Sequence, residues 1–171
     1  YFYERSCIRQ TFFPGSETAF LRMLREELNK DIFDDFRQHT CTGIGYHTDV
    51  VPLETTMTVV ARLFSLMTEH GYENYVPSCV TSFGVFTEMV HMWQEHPELL
   101  EKTRENLYKA CKREFNIPKN IAHPSDVIYH FRNELAEKMK YRLVNRFTGR
   151  PLKVVEHIGC HYAKIFPDKG I

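Results

Sequence analysis

Three short segments of the sequence have the aromatic, apolar and β-branched composition that is typical of buried strands, and each ends at a cysteine. Residues 1–8 end near Cys7, residues 72–80 end near Cys79, and residues 152–158 are followed by Cys160. Helical patterns occupy the intervals between these segments. Strands that alternate with helices favour the α/β class, in which a mostly parallel sheet is flanked by helices.

Apolar residues recur with helical spacing in several stretches between the predicted strands. The strongest pattern covers residues 57–67, and Gly71 is predicted to end that helix. Ser16 and Ser125 are predicted N-caps of two other helices. The remaining helices are predicted to begin near Ser82 and at Pro97, the latter continuing to about Phe115.

The cysteines that follow the predicted strands are the candidate functional residues. In open α/β sheets, ligands bind at the edge that is formed by the carboxyl ends of the strands. Cys7, Cys79 and Cys160 are predicted at that edge, and a glycine-containing loop over residues 39–52 adds Cys41. We therefore expect Cys7, Cys41 and Cys79 to converge on one metal centre. The alternative is that these isolated cysteines are small core residues.

The charge and hydropathy of the chain exclude two classes of partner. Lys and Arg together number 22, as do Asp and Glu, so the basic excess of a nucleic-acid-binding protein is missing. No apolar run of about 18 residues occurs, so no membrane span is predicted.

The cysteine count bears on the cellular compartment. The chain has 5 cysteines, an odd number without close, even spacing, which argues against a disulfide framework and favours a reducing cytoplasm. The first residues are not typical of a signal peptide. Cys111 lies inside a predicted helix and is expected to be an ordinary packed residue.

The segments around the other cysteines resemble those of a known family. TCTGIGYH at 40–47 resembles its Cys-Cys-Gly segment, and VPSCVTSFG at 76–84 is similar to its Cys-x-x-Cys segment. HIGCHY at 157–162 is similar to the start of its second motif, and IPKNIAHPSDVIYHFRNELAEK resembles its linking helix region. On these motifs the chain resembles the first half of a member of the cysteine-rich (CCG-domain) iron–sulfur family that includes the HdrB subunit of heterodisulfide reductase.

The resemblance implies a fold, a function and partners. The fold would be a Rossmann-like layered CCG domain with linking helices over residues 1–150, followed by the truncated start of a second cysteine-rich motif over residues 151–171. The function would be that of an iron–sulfur electron-transfer subunit of a heterodisulfide-reductase-like oxidoreductase complex, which passes electrons to a disulfide or a related acceptor. The partners would be a ferredoxin-like iron–sulfur subunit and a flavoprotein subunit.

The resemblance also implies a cofactor, a non-cubane [4Fe–4S] cluster. Its ligands here would be Cys7, Cys41 and Cys79, while Cys160 would belong to the second motif. The glycines that follow Cys41 are interpreted as positions that let backbone amides approach the sulfurs of such a cluster.

Two positions depart from the family pattern, because Thr42 and Ser82 stand where cysteines are expected. A hydroxyl group does not replace a soft thiolate ligand of iron. Three explanations account for this equally well: the natural site has fewer ligands, the two residues have been substituted, or the sequence has been misread at these positions. The alternative function is a degenerate scaffold subunit that has lost its cluster or that binds Zn²⁺ through the remaining thiolates. His39, His47 and Ser82 are additional candidate ligands.

Overall fold

A parallel three-stranded sheet forms the centre of the computed structural model, which describes residues 1–38, 40–41, 43–139 and 143–153. Its strands are β1 (Phe2–Glu4), β2 (Asn74–Pro77) and β3 (Asn120–Ile121), which lie side by side in that order. The register places Phe2 opposite Tyr75, and Tyr75 opposite Ile121. The predicted α/β class with a parallel sheet is confirmed.

Helices make up most of the remaining structure. Their bounds are α1 Cys7–Phe12, α2 Pro14–Arg22, α3 Gly43–His47, α4 Leu53–Glu69, α5 Val80–Glu95, α6 Pro97–Cys111, α7 Pro124–His130 and α8 Arg132–Lys138. A π-helical turn over Met23–Glu27 extends α2, and a 3₁₀ turn covers Phe36–Gln38. Within the described ranges, no helix combines the length and the apolar character that crossing a membrane requires.

The core lies on both faces of the sheet. Phe2 and Tyr75 pack with α4 and α5 on one face, whereas Tyr3 and Val76 pack with α2 on the other. This division follows from the alternation of side chains along a strand. Because helices cover both faces, β1 and β2 are buried along most of their length, as is usual for parallel strands.

Two helices begin at other residues than predicted. Pro14 occupies the first turn of α2, where its fixed φ angle suits a helix, and the Ser16 hydroxyl donates to the Phe13 carbonyl instead of capping the helix. At α7 the N-cap is His123, which forms a capping box with Asp126, so the prediction of Ser125 as the cap was wrong. By contrast, the long helix α4 ends as predicted, just before Gly71, which has a φ of 74°.

The strands are shorter than predicted, because helices begin at the cysteines. The Ser6 hydroxyl accepts a hydrogen bond from the Arg9 amide, and this cap starts α1 at Cys7. Likewise, Cys79 is the N-cap residue of α5. Both cysteines therefore lie at the start of a helix, just beyond the carboxyl end of a strand.

Among the described residues, the third strand of the sheet is β3, whereas the predicted strand over 152–158 lies mostly outside them. With two residues, β3 is too short to show the alternation by which strands are recognised. Of the predicted segment, Leu152 and Lys153 are described and are not in a strand, and residues 154–158 lie outside the described residues. The domain boundary predicted at residue 150 stays a prediction, because residues 154–171 are also outside the described residues.

Two other segments differ from the sequence-based expectations. The predicted loop over residues 39–52 contains the short helix α3. The helix from Pro97 ends at Cys111, before the predicted Phe115, because Lys112 adopts a left-handed conformation with a φ of 56°. Cys111 is exposed on the last turn of α6, so its prediction as a packed residue was wrong.

Candidate functional site

A cavity of about 50 Å³ lies where the carboxyl ends of β1 and β2 meet. Its wall comes from three separate parts of the chain: the end of β1 with the start of α1, the segment that leads into α3, and the first turn of α5. Cys7, Cys41 and Cys79 each belong to a different one of these parts, and all three line the cavity. The structure therefore brings together the three cysteines that the sequence placed at this edge.

The approach of Cys41 to the other two cysteines depends on a close backbone contact at Gly43. A Cβ atom added to Gly43 would lie 2.2 Å from Cγ2 of Thr81, which is in the first turn of α5. A side chain at this position would therefore force either the Thr81 side chain or the Cys41 segment to shift. The structure gives Gly43 a role in helix contact, in addition to the predicted exposure of backbone amides.

A buried carboxylate links the residues that precede two of the cysteines. Glu17 of α2 accepts a hydrogen bond from the Ser6 amide at 2.7 Å and another from the Ser78 hydroxyl at 2.9 Å. Ser6 directly precedes Cys7, and Ser78 directly precedes Cys79. Glu17 thus fixes the start of α1 relative to the start of α5, and with it the separation of the two cysteines.

A second buried carboxylate, Glu4, lines the cavity itself. Glu4 is 1% exposed, and its Oε2 atom has no hydrogen-bond partner. Burial raises the pKa of this carboxyl group well above its usual value, and negative charge on Cys79 and Cys41 raises it further. Burial and the nearby Cys41 likewise raise the pKa of the Cys7 thiol. The cavity therefore favours the protonated forms of Glu4 and Cys7.

The other candidate ligands have different locations. Ser82 is buried in the first turn of α5 and lines the cavity, whereas His47, at the end of α3, is exposed and is not part of the cavity wall. His39, Thr42 and Cys160 lie outside the described residues. The assignment of these residues as ligands stays a prediction.

Neither buried glutamate was predicted from the sequence. Glu4 directly follows an aromatic strand segment, and a charged residue at a position where burial is expected was the available signal. Glu17 gave no such signal, because an acidic residue in the first turn of a helix is ordinary. Only the pairing of β1 with β2 shows that Ser6 and Ser78 both face it.

Three cysteine thiols are suitable donors for a thiolate-bound metal centre. The described residues, however, do not place these donors in the arrangement of a complete coordination shell. Among residues 1–38, 40–41, 43–139 and 143–153, no group of three His, Cys, Asp or Glu side chains is arranged to hold a metal ion. Cys7 and Cys41 are exposed, and their thiols lie close enough together to interact. Ser82 adds a neutral hydroxyl where the implied cluster would need a thiolate.

Comparison with known proteins identifies a relative. No protein-family model matches the chain. The chain is 28% identical over 162 residues to the HdrB subunit of the ferredoxin:CoB–CoM heterodisulfide reductase of Methanosarcina acetivorans, and the match covers 94% of this chain and 51% of the relative. The chain thus spans about half the length of this curated relative. The resemblance predicted from the cysteine segments is confirmed: the chain is similar, over nearly its whole length, to the HdrB subunit of a heterodisulfide reductase.

Proposed function

We propose that the chain is an electron-transfer subunit of a heterodisulfide-reductase-like complex, and that Cys7, Cys41 and Cys79 hold its redox centre. The observation that supports this most directly is that three cysteines from separate parts of the chain line one cavity. Cysteines that served only as core residues would not be expected to meet at the sheet edge where α/β proteins bind ligands. The similarity to a heterodisulfide reductase subunit points to the same function.

The chain's own residues would bind the redox group and control access to it. The three thiols must lose their protons to act as ligands. An iron–sulfur group bound by them supplies one-electron transfer. Because Cys7 and Cys41 are exposed and Cys79 is half-buried, the centre would lie close to the protein surface, where the redox centre of a partner can approach it.

The proposed partners follow from the relative's name and from the resemblance. A ferredoxin-like iron–sulfur subunit and a flavoprotein subunit would supply electrons, and a disulfide such as the CoB–CoM heterodisulfide would accept them. Reduction of such a disulfide breaks one S–S bond and yields two thiols, with two electrons from these partner subunits and two protons from solvent.

A second candidate function is a scaffold subunit with a zinc site or with no metal. Two observations favour it: Ser82 lines the cavity in place of a cysteine, and the described side chains form no finished metal-binding group. Zinc needs four ligands in a structural site, so three thiolates and one further donor would be sufficient.

Metal and sulfide analysis of the anaerobically purified protein separates the two functions. We expect bound iron together with acid-labile sulfide, and we expect both to be lost when Cys7, Cys41 and Cys79 are replaced by alanine. Cys111→Ala is the matched control, because Cys111 is an exposed cysteine that lies on α6, outside the cavity wall. Zinc without sulfide would support the scaffold function, and unchanged iron in the triple variant would overturn the proposed site.

A further inference from the structure

We propose that Glu4 is a fourth ligand of the metal centre held by Cys7, Cys41 and Cys79, so that the site is a mixed site of three thiolates and one carboxylate. This inference rests on the proposed function, because it assigns a residue to the same centre. It gives a role to a buried acidic group that the resemblance to the reductase does not explain.

The position of Glu4 is fixed by the sheet. It is the last residue of β1 and lies opposite Pro77 of β2. Its carbonyl accepts a hydrogen bond of 3.0 Å from the Ser78 amide. The backbone at Glu4 is therefore held at the strand end, and its side chain contributes to the cavity wall beside Cys7 and Cys79.

The carboxyl group of Glu4 is buried among acidic side chains. Its Oε2 atom is buried without a hydrogen bond, and the charged groups that influence it are Cys79, Cys41 and Glu17, which are acidic. Arg5 also lines the cavity but forms an ion pair with Asp34. Buried charges in proteins are paired or coordinate metals, and a cation in this cavity would provide the missing partner.

The contrast with Glu17 shows that the fold satisfies a buried carboxylate where its function is structural. Glu17 is 3% exposed and has two hydrogen-bond donors on one of its oxygens. Glu4, at the end of β1, is as deeply buried, and its Oε2 atom has none. The difference points to a ligand role for Glu4 and not to a structural one.

The number and type of donors agree with this assignment. Ser82, which lines the cavity, stands where the similar pattern has a cysteine, as Thr42 does in the sequence, and Glu4 would return one anionic donor to the cavity wall. Three thiolates and one carboxylate make four ligands, which is the usual number for zinc and for a cysteine-ligated iron–sulfur centre. Carboxylate oxygen is an established ligand of zinc and of non-haem iron.

The test is anaerobic titration of the metal-free protein with Co²⁺, followed by competition with Zn²⁺. Absorption bands from thiolate-to-cobalt charge transfer count the thiolates, and the d–d bands report the geometry and the fourth donor. Glu4→Gln keeps the shape of the side chain but removes its charge. We expect Glu4→Gln to weaken Co²⁺ binding by about tenfold or more, because loss of even an outer-shell partner of a metal site has an effect of about that size. The d–d bands should change, whereas the thiolate-to-cobalt charge-transfer bands should remain.

The matched control is Glu73→Gln. Glu73 is an exposed glutamate that directly precedes β2, at the opposite edge of the sheet, and it pairs with Lys119. We expect its affinity for Co²⁺ and its spectrum to equal those of the unmodified protein. Equal weakening by both variants would overturn the assignment, because the effect would then reflect net charge alone.

The outcomes distinguish this inference from the proposed function. If the unmodified protein binds Co²⁺ through thiolates, and Glu4→Gln binds it equally tightly with the same d–d bands, Glu4 is not a ligand but the cysteine site stands. If the unmodified protein shows no thiolate-to-cobalt bands, both proposals fail. Should Glu4→Gln not fold, as judged by circular dichroism, Glu4→Asp takes its place, and unchanged affinity and d–d bands in that shortened variant would overturn the inference.

Discussion

The Ser78 hydroxyl donates a hydrogen bond of 2.9 Å to the carboxylate of Glu17, across 61 positions of sequence. Both side chains are buried, and the same Glu17 oxygen also accepts the Ser6 amide. Three segments that are distant in sequence are thereby joined directly behind the cysteine cavity. The contact connects the stability of the fold with the geometry of the candidate site.

Replacement of Glu17 by alanine should destabilise the protein by about 1.5–3 kcal/mol, because it leaves the buried Ser6 amide and Ser78 hydroxyl without a charged acceptor. Glu17→Gln keeps an acceptor oxygen and should cost less. Urea unfolding followed by the fluorescence of Trp93, the single tryptophan, which is 1% exposed, measures both effects. A stability of Glu17→Ala within about 0.5 kcal/mol of the unmodified protein would contradict this role.

Replacement of Gly43 by alanine should cost about 1–3 kcal/mol, because the new Cβ would overlap Cγ2 of Thr81. Thr81→Ser removes that methyl group and should recover part of the loss in the double variant. Gly15→Ala is the control, since a Cβ there meets nothing within 4 Å. Urea unfolding of the unmodified protein, the three single variants and the double variant tests the contact, and equal effects at Gly43 and Gly15 would exclude it.

The stability of the protein should fall as the pH decreases from about 6.5 to 4, because burial lowers the pKa of His123 from 6.5 to about 4. Between these two pKa values the folded state binds fewer protons at His123 than the unfolded state does. The contribution of neutral His123 to stability is therefore complete above the pKa of the unfolded state and is lost as the pH falls towards the pKa of the folded state. The loss from this residue should reach up to about 3 kcal/mol. His123→Asn keeps a favourable N-cap residue without titrating, so its pH dependence should be shallower by that amount.

Alkylation by iodoacetamide should distinguish the cavity cysteines from Cys111. In the metal-free protein we expect Cys41 and Cys111 to react, since both are exposed. Cys7 should react more slowly because its pKa is raised, and Cys79 because it is half-buried. A metal bound at the proposed site should protect the three cavity cysteines and leave Cys111 reactive. Peptide mass spectrometry identifies the modified residues, and protection of Cys111 alone would place the metal elsewhere.

The elements with strong periodic signals could be predicted from the sequence. The apolar stripe of α4 and the aromatic composition of β1 led to the correct elements, and the placement of strand ends at one sheet edge led to the meeting of Cys7 with Cys79. The short strand β3 could not be found, because two residues carry no periodicity.

The polar part of the site was beyond sequence analysis for a different reason. The role of Glu17 depends on two donors from distant segments, which only the pairing of β1 with β2 brings near it. The burial of Glu4 likewise depends on its position at the end of β1, which was predicted to continue to Cys7. Long-range contacts of this kind have no local pattern from which they could be predicted.

The positions of the cavity-wall residues in the sequence determine when they become available during synthesis of the chain. Every described residue that lines it lies between Glu4 and Ser82, so α6, β3 and the helices that follow contribute none of the wall. Proteins are synthesised from the N-terminus, and the early parts of a chain can begin to fold before the later parts exist. All of these wall residues are therefore already present in a nascent chain that has been extended only to the end of α5.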